Sequence, residues 1–218
     1  AAAAAAILAQ AISTQGPSGN LPERGEWPRL RAAMGQCAME PANELCCLFR
    51  GPLPVQLAAT VLFHLPSASR IRGAAPMNAY HTSVVVGSSE YTFSAAGIST
   101  LAPLQSHKML RRKTEVTDFG FTFEDPRRMV STLALCFAPG TYDLVRKNCN
   151  SFSECALFFL VRQRLDPNYR RLERLGKAGQ KKIGLMSILS AVGLNYKENP
   201  AADNFKLDDV IEYLQALS

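Results

Sequence analysis

Apolar side chains recur at every second position over Val55, Leu57, Ala59, Val61 and Phe63, which predicts a strand with one face buried. A second β-branched run, His81-Thr-Ser-Val-Val-Val86, stops at Gly87-Ser88-Ser89 and is answered by Glu90-Tyr-Thr-Phe93, so residues 81–93 are expected to form a hairpin with a histidine at its start. Val116 to Phe123 gives a further extended run. The period then changes. Glu124-Asp125-Pro126 carries the signature of a helix N-terminus, and Met129, Val130, Leu133, Cys136 and Phe137 fall on one side until Pro139-Gly140 break the chain. A second helix is predicted from Asn148, a favoured N-cap type, because Phe152, Ala156, Phe159, Leu160 and Gln163 follow at helical spacing. Strands followed by helices define an α+β class.

The second helix matters for chemistry because Cys149 lies in or next to its first turn. Unsatisfied N–H groups and the positive end of the helix dipole stabilise an anion there, and they are expected to lower the thiol pKa from its usual value of about 8.5. A reactive thiol needs a base, and His81 at the head of the hairpin is the candidate. For a third residue that orients the imidazole or the oxyanion, Asp143, Asn148, Asn150 and Glu90 remain alternatives. Cys136 and Cys155 sit within apolar runs and read as core thiols.

The chain resembles the PPPDE family, the permuted papain-like cysteine peptidases that include the desumoylating isopeptidases. The resemblance is carried by Pro54-Val-Gln-Leu57, by Tyr80-His-Thr-Ser-Val-Val-Val-Gly87 with Glu90-Tyr-Thr-Phe93 and Gly97-Ile98, and by Tyr142-Asp-Leu, Asn148-Cys-Asn-Ser-Phe-Ser153 and Phe159-Leu160. Histidine precedes cysteine, the reverse of the order in papain. Two positions depart from the family pattern: Ser94-Ala95-Ala96-Gly97 replaces a glycine-rich turn, and Lys147 stands where a histidine is common. The resemblance implies a papain-like peptidase domain and attack by Cys149 on an amide or isopeptide bond. It also implies proton transfer through His81, a thioester intermediate and a ubiquitin-like modifier or its conjugate as substrate. No cofactor or metal is expected. The other functional class that fits is a structural or scaffolding subunit of a larger assembly that retains the peptidase fold.

Composition adds boundaries. With 218 residues, 47% hydrophobic and 19% charged, the chain can bury one ordinary core with appendages. The expected division is an N-terminal extension over 1–52, a peptidase domain over 53–165 and a basic, partly helical extension over 166–218. The six cysteines show no zinc-type pairing and an awkward adjacent pair at Cys46-Cys47, which suits a reducing intracellular compartment, cytoplasmic or organellar, the mitochondrion included. The chain opens on six alanines rather than methionine, as expected of processing or truncation, a removed organelle-targeting peptide being one route. No run approaches eighteen apolar residues, so no membrane span is expected. Arg162 to Lys182 carries eight basic residues against Asp166 and Glu173, a net charge equal to the +6 of the whole chain. Such a segment suits an acidic partner surface, whether protein, RNA or anionic lipid, or else a solvated helix face. Beyond it, Phe205, Leu207, Val210, Ile211, Leu214 and Leu217 recur near helical spacing and are expected to dock on this domain or on another protein.

Overall fold

The computed structural model describes residues 51–65, 77–177, 189–190 and 196–217. Residues 1–50, 66–76, 178–188, 191–195 and 218 lie outside the described residues, and with them the alanine run, the Cys46-Cys47 pair, Lys181 and Lys182. Five strands, β1 (Leu53–Leu65), β2 (Met77–Val86), β3 (Ser89–Ser94), β4 (Gly97–Leu101) and β5 (Thr114–Thr122), form one antiparallel sheet in the order β4-β3-β2-β1-β5. The helices are α1 (Gln105–Lys108), α2 (Pro126–Ala134), α3 (Cys149–Val161), α4 (Arg171–Lys177) and α5 (Leu207–Ala216). This is the expected α+β architecture. Among the described residues no helix is long and apolar enough to cross a membrane.

The β2–β3 hairpin closes through Gly87-Ser88, with Val86 opposite Ser89 and Gly87 at φ +58°, the left-handed conformation that a two-residue turn asks of its first residue. At the next hairpin, Ala95-Ala96 make the turn and Gly97 carries the positive φ, +93°. Replacing the expected glycines with alanines is tolerated because the one glycine that cannot be replaced is kept. A Cβ on Gly97 would stand 3.0 Å from Pro139 Cγ, and the same contact region is tied by Gly140 N–H to Ala95 O at 2.8 Å.

The two faces of the sheet differ in chemistry. On one, Val55, Leu57, Val84, Val86, Tyr91 and Phe93 pack against α3, which is buried from Cys149 through Leu160. A helix apolar nearly all round belongs in the middle of a core, and here it is covered on its far sides by α2 and α5. Phe137 stands edge-on to Phe93, Phe152 and Phe205, with centroids 5.0, 5.5 and 5.6 Å away. The other face carries a buried polar layer of Thr60, Ser83, Glu90 and Thr92, roofed by the segment that contains α1 and its buried His107. That layer was not anticipated; α1 is a single turn with no periodicity to announce it.

Phe205, Leu207, Val210, Ile211, Tyr213 and Leu214 belong to the same apolar cluster as α3. The apolar stripe of α5 therefore docks on this domain, one of the two placements expected for it, although it lies beyond residue 165. The basic segment is also partly answered within the molecule. Arg164 Nε and Arg170 Nη1 both bind the buried Glu154, the latter at 2.6 Å, and Arg162 donates to Leu214 O at 3.4 Å.

Candidate functional site

Cys149 is the first residue of α3 because Asn148, in extended conformation, ends the preceding loop and caps the helix. Its side-chain oxygen accepts from Asn150 N at 2.8 Å and Ser151 N at 3.1 Å. The cap is itself held by Asn148 Nδ2 donating to Leu144 O at 2.8 Å. Asn150 latches the helix to the sheet, its Oδ1 accepting from Thr82 Oγ1 at 2.9 Å and lying 3.9 Å from the thiol. Thr82 comes just before the Val84–Val86 stretch of β2 that pairs with β3, and its backbone N–H is directed at the Cys149 sulfur. Tyr142 lies nearby, and burial together with Cys149 and Asp143 beside it pushes its hydroxyl pKa well up. The cysteine and histidine blocks therefore meet through Thr82 Oγ1 and Asn150 Oδ1, the latter 3.9 Å from the Cys149 sulfur.

The histidine side chain itself is anchored elsewhere. Side chains alternate along a strand, so Thr82 faces α3 while His81 and Ser83 face the polar layer. His81 Nε2 lies 2.8 Å from Ser106 Oγ, and its ring sits 4.6 Å, centroid to centroid, from that of His107. Ser106 Oγ donates to Glu90 Oε1, and Ser106 N–H donates to Glu90 Oε2 at 3.1 Å. Because the serine proton is committed to the carboxylate, its oxygen accepts from His81 Nε2–H. That selects the tautomer whose Nδ1 keeps its lone pair. Among the described residues no hydrogen bond joins His81 to Cys149.

Glu90, one of the four alternatives for an orienting residue, thus acts on the imidazole through Ser106, a link that no sequence signal pointed to. Asp143 does not. Its carboxylate accepts from Val145 N, Arg146 N, Tyr196 Oη and Asn199 N at 2.8–2.9 Å and closes the 143–147 turn that delivers Asn148. Asn148 and Asn150 hold the helix start rather than the imidazole. Lys147 points away from the thiol into the aromatic cluster, 5.3 Å over Phe205, and burial pushes its pKa down to about 8.

The electrostatics reverse the expectation of a preformed thiolate. Burial raises the Cys149 pKa to about 11, although the N–H groups of Thr82, Cys149 and Asn150 pull it down. The thiol is only 4% exposed, and desolvation of the anion outweighs the helix end. The same effect, helped by the neighbouring His107, lowers the His81 pKa to about 3. The resting pair is therefore a neutral thiol and a neutral imidazole.

His107 is lowered as well, by burial, against the opposing pull of Glu90. It is wedged between Thr60 Oγ1 (2.8 Å from Nδ1) and Ser83 Oγ (2.9 Å from Nε2). Groups whose folded pKa is depressed favour the fold above their unfolded pKa, and that contribution is lost as pH falls. For His81 the window runs from about 6.5 down to about 3, and for His107, also lowered by burial, it begins at the same upper edge. Thermal unfolding followed by circular dichroism should show the midpoint falling across this window, and His107→Gln should flatten the fall. An equally steep decline in that variant would assign the acid sensitivity to carboxylates instead.

A helix that begins on a buried cysteine, packed on an antiparallel sheet whose strand carries a histidine, is the arrangement of a papain-like cysteine-peptidase domain. The family model described as "PPPDE putative peptidase domain" matches residues 60–185, more than half of the chain, and the chain belongs to that family. No match was found among curated proteins.

Proposed function

We propose that this protein is a cysteine peptidase that cleaves amide or isopeptide bonds of ubiquitin-like modifier conjugates, with Cys149 as nucleophile and His81 as base. The observation that carries the reading is the Nε2–H tautomer of His81 held by Ser106 and Glu90, because it leaves Nδ1 free to take a proton. The other support is Cys149 at a capped helix start beside the Thr82 amide. The reading requires the His81 ring, which rests on the polar face against Ser106 and His107, to turn toward α3 when substrate binds, and the thiol proton then passes to Nδ1 as the sulfur attacks the carbonyl carbon. This reading assigns the Cys149 backbone N–H, at the start of α3, as a donor to the oxyanion. The imidazolium returns the proton to the leaving nitrogen, the C–N bond breaks, and a thioester remains. Water, deprotonated by the same imidazole, then releases the acid and regenerates the thiol.

A second reading, a scaffolding subunit that keeps the fold, is favoured by the burial of the thiol and its raised pKa. A panel of ubiquitin-family proteins carrying a thiol-reactive C-terminal group separates the two. The peptidase reading expects one member to label the full chain at Cys149 and not the Cys149→Ala variant. Absence of labelling across the panel, together with no turnover of the matching conjugates, favours the scaffold.

A further inference from the structure

β5 is the last strand of the sheet order β4-β3-β2-β1-β5, and among the described residues it is bonded on one side only, to β1. Over 114–118 it pairs with β1 without a break. Beyond Asp118 the register shifts, Gly120 takes φ +91°, and the Asp118 carboxylate accepts from Gly120 N at 2.7 Å. That bulge blunts the far end of the edge and leaves a straight stretch whose midpoint is Val116. Val116 is 45% exposed, and Phe121 and Phe123, which follow the bulge, are 65% and 84% exposed. Large apolar side chains left in water along an open edge mark a surface that another strand covers. The charges on this edge are sorted by end: Arg111, Arg112 and Lys113 lead into the strand, Glu115 and Asp118 lie within it, and all five are exposed. Among the described residues no ion pair engages any of the five.

We propose that β5 is a self-association edge, at which a second copy of this chain pairs β5 against β5, antiparallel, with the two Val116 side chains beside the two-fold axis. In that register Thr114 stands opposite Asp118 of the second copy, and Arg112 lies diagonal to the same carboxylate, within reach of a long side chain. Arg111 approaches Phe121 of the second copy, where a guanidinium and an exposed ring attract each other. Each contact occurs twice, as a two-fold interface requires. Parallel pairing would set the three cations of one copy beside those of the other, so the order of charges selects the reversed arrangement. The sheets of the two copies then run on as one. A pairing this short falls below the roughly 1,200–2,000 Å² of a stable interface, so the dimer is weak and reversible. It does not depend on the reading of Cys149.

Sedimentation equilibrium of the full chain tests this. The average mass should rise with concentration from that of one chain towards that of two, and less steeply in high salt. Val116→Lys sets two ammonium groups against each other at the axis and should weaken the association by about fivefold or more. Its thermal melt by circular dichroism should be unchanged, because the residue lies outside the core. Arg112→Glu and Asp118→Lys should each weaken self-association by about threefold or more, since like charges then face across both diagonals. An equimolar mixture of these two variants should associate as tightly as the unaltered chain, because each diagonal again joins opposite charges. The mixture also separates the interface from any local loosening of the Gly120 bulge, which rescue would not repair. A full chain with the mass of one copy at every concentration, a dimer indifferent to Val116→Lys, or a mixture no tighter than its two components overturns the proposal.

Discussion

Deleting residues 205–218 is expected to unfold the domain rather than trim an appendage. The deletion strips Phe205, Leu207, Val210, Ile211, Tyr213 and Leu214 from the cluster that surrounds α3. Losing a single buried leucine such as Leu214, 1% exposed, costs about 2–5 kcal/mol. Whole domains are stable by only about 5–15 kcal/mol, so several such losses exceed the margin. Circular dichroism should show no cooperative thermal transition in a chain ending at residue 204, while Leu214→Ala in the full chain should keep the transition at a lower temperature. A truncated chain that melts at the full-length temperature would show that residues 205–218 are an extension the fold does not need.

The second large effect concerns His81. Its replacement by alanine should lower kcat/KM on a modifier conjugate by about 10²- to 10⁴-fold, the usual contribution of a positioned base. Glu90→Gln should cost less, because it weakens the Ser106 anchor without removing the imidazole. It should also move the acid limb of the kcat/KM pH profile, which a merely structural lesion would not do. Retained turnover in the His81 variant would mean that the thiol is activated by another group.

Both expectations depend on features that differ in how far they could be read from the residues. The β2–β3 hairpin and α3 were legible because each rests on local chemistry: β-branched runs broken by Gly87, and a helix announced by its Asn148 cap. The helix of Asp125-Pro126 was legible for the same reason, its cap bond to Arg127 N measuring 2.9 Å, although it ends at Ala134, earlier than the break at Pro139 suggested. Nothing local marked Ser106. It enters the site only because β3 brings Glu90 beside β2 and the turn of α1 is laid over both.

The sequence by itself determined the class of fold, the helix that starts on Cys149, the strand that carries His81, and the family pattern that joins them. All of these follow from periodicity, capping and short motifs, which are properties of neighbours along the chain. The tertiary structure alone decided which face of β2 holds the imidazole, which carboxylate steadies it, and where α5 spends its apolar stripe. It also decided the protonation of the site. A helix N-terminus predicts a lowered thiol pKa, but how much water is excluded from Cys149 and His81 depends on strands and helices far away in sequence. Desolvation by that distant packing outweighs the local dipole.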